Sequence, residues 1–168
     1  MKNNHFELPV PTRDGNFFVR YSENGLAELN FPVGRASSRA LKSNHVPAKI
    51  KNWHRATKIA LKKILAGSEP AEFPPLDWNG ATEFQKSVWR QMQKVPAGKT
   101  KSYGEIAEAI GKPKAVRAVG GACGANPIPV LVPCHRVLAA NKKLGGFSGG
   151  LDWKRKLLSR EGISLPSA

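Results

Sequence analysis

The stretch SYGEIAEAIGKPKAVRAVGGAC, Ser102 to Cys123, reads as two short helices joined by a turn. Ser102 followed three residues later by Glu105 is a capping-box pattern, and the helix YGEIAEAI that it opens stops at Gly111. Lys112-Pro113 is expected to start the second helix, KAVRAVGGAC, because proline fits a first helical turn. Two such helices around a three-residue turn containing glycine have the helix-turn-helix outline. The second helix is nearly bare: Ala115, Ala118, Gly120, Gly121 and Ala122 leave Arg117 as its one long side chain. Each interior glycine costs about 1 kcal/mol relative to alanine. Either another helix packs very close there or a bulky ligand approaches the backbone. A smooth helix with one arginine would suit the minor groove of DNA, about 6 Å wide, where a lone arginine can read groove width or enter the base stack.

Working outward, Thr82 and Gln85 repeat the capping-box pattern before a helix with Phe84, Val88, Trp89 and Met92 on one face, ended by Pro96-Ala97-Gly98. Residues 5–32 read as three strands with turns at Asp14-Gly15 and Asn24-Gly25. Residues 33–46 look like an exposed loop. From Pro47 to Leu65 the positions Ile50, Trp53, Ala56, Ala60, Leu61, Ile64 and Leu65 recur at helical spacing, with Gly67 as the stop. Residues 68–80, with three prolines, read as an ordered linker or sheet-edge segment. The expected fold is an α/β N-terminal lobe, a small antiparallel sheet plus helix (1–80 with its linker), and a mainly α, helix-turn-helix-containing domain over 81–168.

The 168-residue chain carries 27 Lys and Arg against 12 Asp and Glu, a net charge of +15 that points to a polyanionic partner. Residues 81–168 hold 15 of the basic and 5 of the acidic side chains, so that half is the expected footprint. Two cysteines outside any C-x-x-C pair argue against a disulfide framework, structural zinc or redox pair. The N-terminus lacks a signal-peptide core, and no window approaches the roughly 18 apolar residues of a membrane span. A cytoplasmic protein with free thiols, no metal and no membrane association is expected.

One thiol sits in Ile128-Pro129-Val130-Leu131-Val132-Pro133-Cys134-His135-Arg136-Val137-Leu138, an apolar run broken by a nucleophile, an imidazole and a cation. A thiol attacks as thiolate, which needs a cation, a base or a helix N-terminus nearby. In an extended segment Cys134 and His135 would point to opposite sides, so a turn must intervene, and Pro133 makes one plausible.

With Val132-Pro133-Cys134-His135-Arg136-Val137-Leu138 in place, the chain resembles the O6-alkylguanine-DNA alkyltransferases, or methylated-DNA–protein-cysteine methyltransferases, from about Thr82 to Gly162. GGFSGGLDWKRKLLSREG continues the match, and the first lobe is similar to the family's ribonuclease-H-like domain. The resemblance implies direct, stoichiometric transfer of an alkyl group from O6 of guanine, less readily O4 of thymine, to cysteine, without cofactor. It implies double-stranded DNA with alkylated bases as partner, base flipping through the minor groove, and a monomer.

By the same resemblance Cys134 is the nucleophile, His135 its base through a water, Glu161 the residue orienting His135, and Asn126 the brace between recognition helix and active-site loop. Tyr103 matches the tyrosine that donates to O6 and turns the target phosphate outward, and Arg117 the finger replacing the extruded base. Ala118, Gly121 and Ala122 are expected on the minor-groove face. Cys123, Val137, Phe147 and Ser148 fall at pocket positions, with the Ser148 amide a donor to O6 and the Val137 carbonyl an acceptor for the guanine amino group. Phe147 stands where many members have tyrosine. The competing reading is a non-catalytic helix-turn-helix or lesion-sensing protein; lesion sensors lack the reactive cysteine, and a regulator would carry polar readers along its recognition helix.

Overall fold

Asp14-Gly15 and Asn24-Gly25 turn the chain where the sequence places them, with Gly15 at φ +114°. They connect β1 (Phe6–Thr12), β2 (Gly15–Tyr21) and β3 (Leu26–Asn30) into an antiparallel sheet in the order β1-β2-β3. This is a computed structural model that describes residues 4–33 and 45–166; most of the exposed loop expected at 33–46 lies outside the described residues. Gly25 is required because the carbonyl of Pro75 passes where a side chain would stand. Leu26 donates to Pro75 O at 2.8 Å and accepts from Asp77 N at 2.8 Å, so the proline-rich segment runs along the sheet edge.

Helix α1 (Ala48–Leu65) packs on this sheet through Ile50, Ala60, Leu61, Ile64 and Leu65, all buried. Tyr21 of β2 donates to Thr57 Oγ1 at 2.8 Å, and its hydroxyl lies 3.1 Å from His54 Nδ1, which satisfies these polar groups between the sheet and α1. Burial, aided by the charge of Lys58, lowers the His54 pKa.

Both capping boxes form. Thr82 accepts from Gln85 N at 3.1 Å and opens α2 (Glu83–Gln93), and Ser102 accepts from Glu105 N at 3.0 Å and opens α3 (Tyr103–Ala109). Val88, Trp89 and Met92 of α2 are buried, each worth about 1.5–3 kcal/mol relative to exposure. The second helix of the pair, α4 (Val116–Gly124), starts later than expected. Lys112 N still bonds to Ala107 O and Ala115 N to Lys112 O, so the end of α3 and a further turn use up the backbone groups around Pro113. Proline therefore sits in the connection between Ala109 and Val116 rather than in a first helical turn, and that connection is longer than three residues.

The chain returns through a short 3₁₀ turn, Cys134–Arg136, into β5 (Val137–Leu138), which pairs in parallel with β4 (Lys101–Ser102). This pairing sets Tyr103, the first residue of α3, beside the turn that carries Cys134. Helix α5 (Leu151–Arg160) closes the structure. Arg160 grips Asp14 with two hydrogen bonds of 2.7 and 2.8 Å and donates to Leu65 O at 3.1 Å, tying α5 to both the sheet and α1. The hydrogen bonds from Arg160 hold the Asp14 carboxyl below its ordinary pKa. No helix among the described residues is long and apolar enough to cross a membrane.

Candidate active site

The loop before Cys134 is held in an unusual shape. Val130, a β-branched residue, has φ +74°, a conformation that costs on the order of 1–3 kcal/mol and persists only where its surroundings over-determine it. Here Asn126 supplies the constraint: its amide donates to Val132 O at 2.8 Å and its oxygen accepts from Ile128 N at 3.0 Å. Ile128, Val130, Leu131 and Val132 are buried, and Val132 N closes the turn onto Ile128 O at 2.9 Å. Asn126 also hydrogen-bonds the Cys134 thiol. One side chain thus joins the end of α4, the loop and the sulfur.

The 3₁₀ turn solves the problem of adjacent residues. Cys134 is 5% exposed and His135 fully buried, and His135 Nε2 meets Glu161 Oε1 at 3.0 Å. Arg136 turns to the same carboxylate, with contacts of 2.7, 3.0 and 3.1 Å, while also donating to Val95 O at 2.7 Å and lying 3.2 Å from Glu69. Glu161 is therefore a buried hub rather than a solvated helix end; its side chain is 1% exposed. Burial alone would raise its pKa, but hydrogen bonds from His135 and Arg136 bring it down to about 2. His135 is pushed the other way, its pKa lowered by burial against the opposing pull of Glu161. Its Nδ1 has no hydrogen-bond partner in the protein, the kind of buried polar atom that ordinarily pairs with solvent or ligand.

Burial pushes the Cys134 thiol up to about 11, against the Asn126 hydrogen bond and the charge of Lys154. The resting sulfur is therefore held as a thiol, and attack as thiolate requires a nearby group that takes its proton. Lys154 and Arg136 are the residues the sequence reading did not place in the site. Lys154 is fully buried and donates to Val137 O at 2.8 Å, to Gly146 O at 3.3 Å and to Leu144 O. Its position on the apolar stripe with Leu157 and Leu158 of α5 was the available signal, since a lysine there must find partners. Burial lowers the Lys154 pKa.

The second thiol, Cys123, is buried with Sγ 3.4 Å from Met92 Sδ, and burial pushes it up to about 12. Tyr103 packs between α4 and the loop after β5: its ring lies 4.0 Å from where a side chain at Gly120 would begin, and its hydroxyl bonds to the Gly146 backbone. Gly145, at φ +68°, has no room for a side chain against that hydroxyl. Burial, then the two thiols, raise the Tyr103 pKa. Val137 is buried with its carbonyl already engaged by Lys154. Phe147 stacks edge-on against Phe31, with ring centres 5.6 Å apart, and Ser148 is exposed on the same loop; neither has a described contact with Cys134.

On α4, Arg117, Ala118 and Gly121 share an exposed face, and a side chain at Gly121 would meet nothing within 4 Å. Ala122 does not belong there. It is 4% exposed, and its carbonyl accepts from Trp89 Nε1 at 2.8 Å, because the boundary between the buried and open sides of α4 falls between Ala118 and Ala122. The two glycines thus have different reasons: Gly120 admits the Tyr103 ring, and Gly121 leaves the outer face smooth.

Fold and site together define a thiol protein that combines a paired-helix unit with a bare, arginine-bearing face and a buried cysteine, histidine and glutamate. The family model described as 6-O-methylguanine DNA methyltransferase, DNA binding domain, matches residues 83–163. A methylated-DNA–protein-cysteine methyltransferase of Methanosarcina acetivorans is 42% identical over 160 residues, covering 94% of this chain and 96% of that protein. The crystal structure of the Mycobacterium tuberculosis O6-methylguanine methyltransferase superposes with a TM-score of 0.73 at 34% identity, covering 98% of this chain and 97% of that one. A structure of Mycobacterium tuberculosis OGT in complex with DNA superposes with a TM-score of 0.66 at 35% identity, over 94% and 91% of the two chains. The chain belongs to the methylated-DNA–protein-cysteine methyltransferase family.

Proposed function

We propose that this protein repairs double-stranded DNA by moving an alkyl group from O6 of guanine, and less readily from O4 of thymine, onto Cys134, once per molecule. The sulfur attacks the alkyl carbon, the carbon–oxygen bond breaks with its electron pair left on the base oxygen, and the thiol proton passes through a water to His135 Nδ1. A neutral imidazole with its other nitrogen on Glu161 is suited to that role. The Tyr103 hydroxyl and the Ser148 amide donate to the base oxygen, and the Val137 carbonyl accepts from the guanine amino group beside the Cys123 and Phe147 walls. The thioether has no easy hydrolytic exit, so the reaction is stoichiometric.

In this reading α3 and α4 form a helix-turn-helix whose Arg117, Ala118 and Gly121 lie in the minor groove. Arg117 takes the place of the base that is flipped out, at a cost of a few kcal/mol that is smaller for a damaged, badly paired base. Residues 1–80 act as a ribonuclease-H-like unit and 81–168 as the DNA-binding and transfer unit, in a monomer of the reducing cytoplasm. The observation that carries the reading is the buried Cys134 with the His135–Glu161 pair behind it, in a family whose members transfer methyl groups to cysteine. Incubation with an oligonucleotide bearing O6-methylguanine should leave one methyl group on the Cys134 peptide, seen by mass spectrometry. An unmodified Cys134 after prolonged incubation with excess modified DNA would favour a lesion-sensing protein instead.

A further inference from the structure

The 18 residues of α1 carry six lysines and arginines and no acidic side chain. Four of them, Lys51, Arg55, Lys58 and Lys62, follow one another at intervals of four, three and four, which on a helix places them within an arc of about 60° along roughly 16 Å of its length. Lys51, Arg55 and Lys62 are exposed and Lys58 is half-buried, with Ile59, 55% exposed, beside them. The face of α1 with Ile50, Ala60, Leu61 and Ile64 is buried, and the stripe runs along its border.

Elsewhere the helices balance such charges: Glu83 pairs with Lys86 on α2, and Asp152 with Arg155 on α5. Among the described residues no carboxylate pairs with any of the four cations on α1. Like charges three and four residues apart repel, so the stripe works against its own helix. Neighbouring members of the row stand about 5–6 Å apart at their Cβ atoms, inside the screening length of about 8 Å at physiological salt, so adjacent charges act jointly on a ligand. A row of cations without base-reading side chains between them matches a regular polyanion, and duplex DNA offers one charge per roughly 1.7 Å of axis.

We propose that α1 is a second DNA contact, which takes the phosphate backbone of duplex outside the lesion site without regard to sequence. It is separate from the outer face of α4, since α1 packs on the sheet of the first lobe whereas α4 packs on α2 and α3. The inference rests on DNA being the partner, as argued above, and adds a holding surface on the lobe that does not carry the thiol.

Acetylation footprinting of the full chain tests it directly. Duplex of about 40 base pairs, roughly four turns, should shield Lys51, Lys58 and Lys62 from acetylation, as read by mass spectrometry. Protection confined to lysines flanking α4, such as Lys112 and Lys114, would overturn the proposal, as would protection by anionic phospholipid vesicles or single-stranded RNA but not by duplex. The variant carrying Lys51→Gln, Arg55→Gln, Lys58→Gln and Lys62→Gln should bind the same duplex about tenfold more weakly, with the slope of log affinity against log salt reduced by about 2 to 4. On a duplex of about 12 base pairs, roughly one turn, and in alkyl transfer from free O6-benzylguanine, it should match the parent. Equal losses on long and short duplex would mean diffuse charge rather than a contact, and the proposal fails. If the parent protein itself leaves O6-methylguanine DNA unrepaired, the repair reading fails, whatever the lysine footprint shows.

Discussion

Replacing Glu161 by glutamine removes the charge on which His135 and Arg136 converge while keeping the shape of the side chain. The carboxyl lies at about 2 against an ordinary 4.5, a difference of about 3 kcal/mol at most; the glutamine carbonyl can still accept from Arg136, which leaves about 2 kcal/mol as the expected loss. Arg136 is 3% exposed and would keep only the half-exposed Glu69 as its anionic partner, which adds to the cost. Because the folded pKa is depressed, this stability is fully present above about pH 4.5 and is lost as pH falls through about 2. Urea unfolding from pH 7 to pH 2 should therefore show Glu161→Gln less stable than the parent by 2 kcal/mol or more at pH 7, with a shallower acid loss. Alkyl transfer should slow as well, since a glutamine amide holds a neutral imidazole more weakly. A variant within about 0.5 kcal/mol of the parent at pH 7, with the same acid slope, would refute the hub role assigned to Glu161.

Arg117→Ala should reduce transfer from a duplex far more than transfer from free O6-benzylguanine, and equal losses in the two rate measurements would remove Arg117 from the base stack. Lys154→Met withdraws a charge that lowers the Cys134 pKa, so the pH profile of iodoacetamide alkylation should move to higher pH; an unmoved profile would leave Lys154 a purely structural role. Asn126→Ala breaks two backbone bonds that hold Val130 at positive φ, and should cost about 2–3 kcal/mol in chemical denaturation while also slowing transfer. A loss of stability with an unchanged transfer rate would show that the loop shape does not matter to the sulfur.

What could be read along the chain was whatever depends on near neighbours. The capping boxes at Thr82 and Ser102 and the turns at Gly15 and Gly25 each close within a few residues, so residue types at short spacing suffice to specify them. The start of α4 was misjudged for the complementary reason: whether Pro113 opens a helix depends on how the preceding helix spends its last carbonyls, and Ala107 O was already taken. Ala122 was misplaced because composition shows that a helix is bare without showing where Trp89 will press against it.

The sequence alone determined the order of strands and helices, the basic character, the run Cys134-His135-Arg136 and the resemblance to the family. Only the tertiary structure decided that Glu161 is buried on His135 and Arg136, that Lys154 pins Val137 to the loop at Leu144–Gly146, and that among the described residues no carboxylate pairs with the four aligned cations of α1. The physical reason is separation. Carboxylate and imidazole stand 26 residues apart, and a charge that would be an ordinary surface group in the unfolded chain becomes a strong partner once folding removes the water between the two.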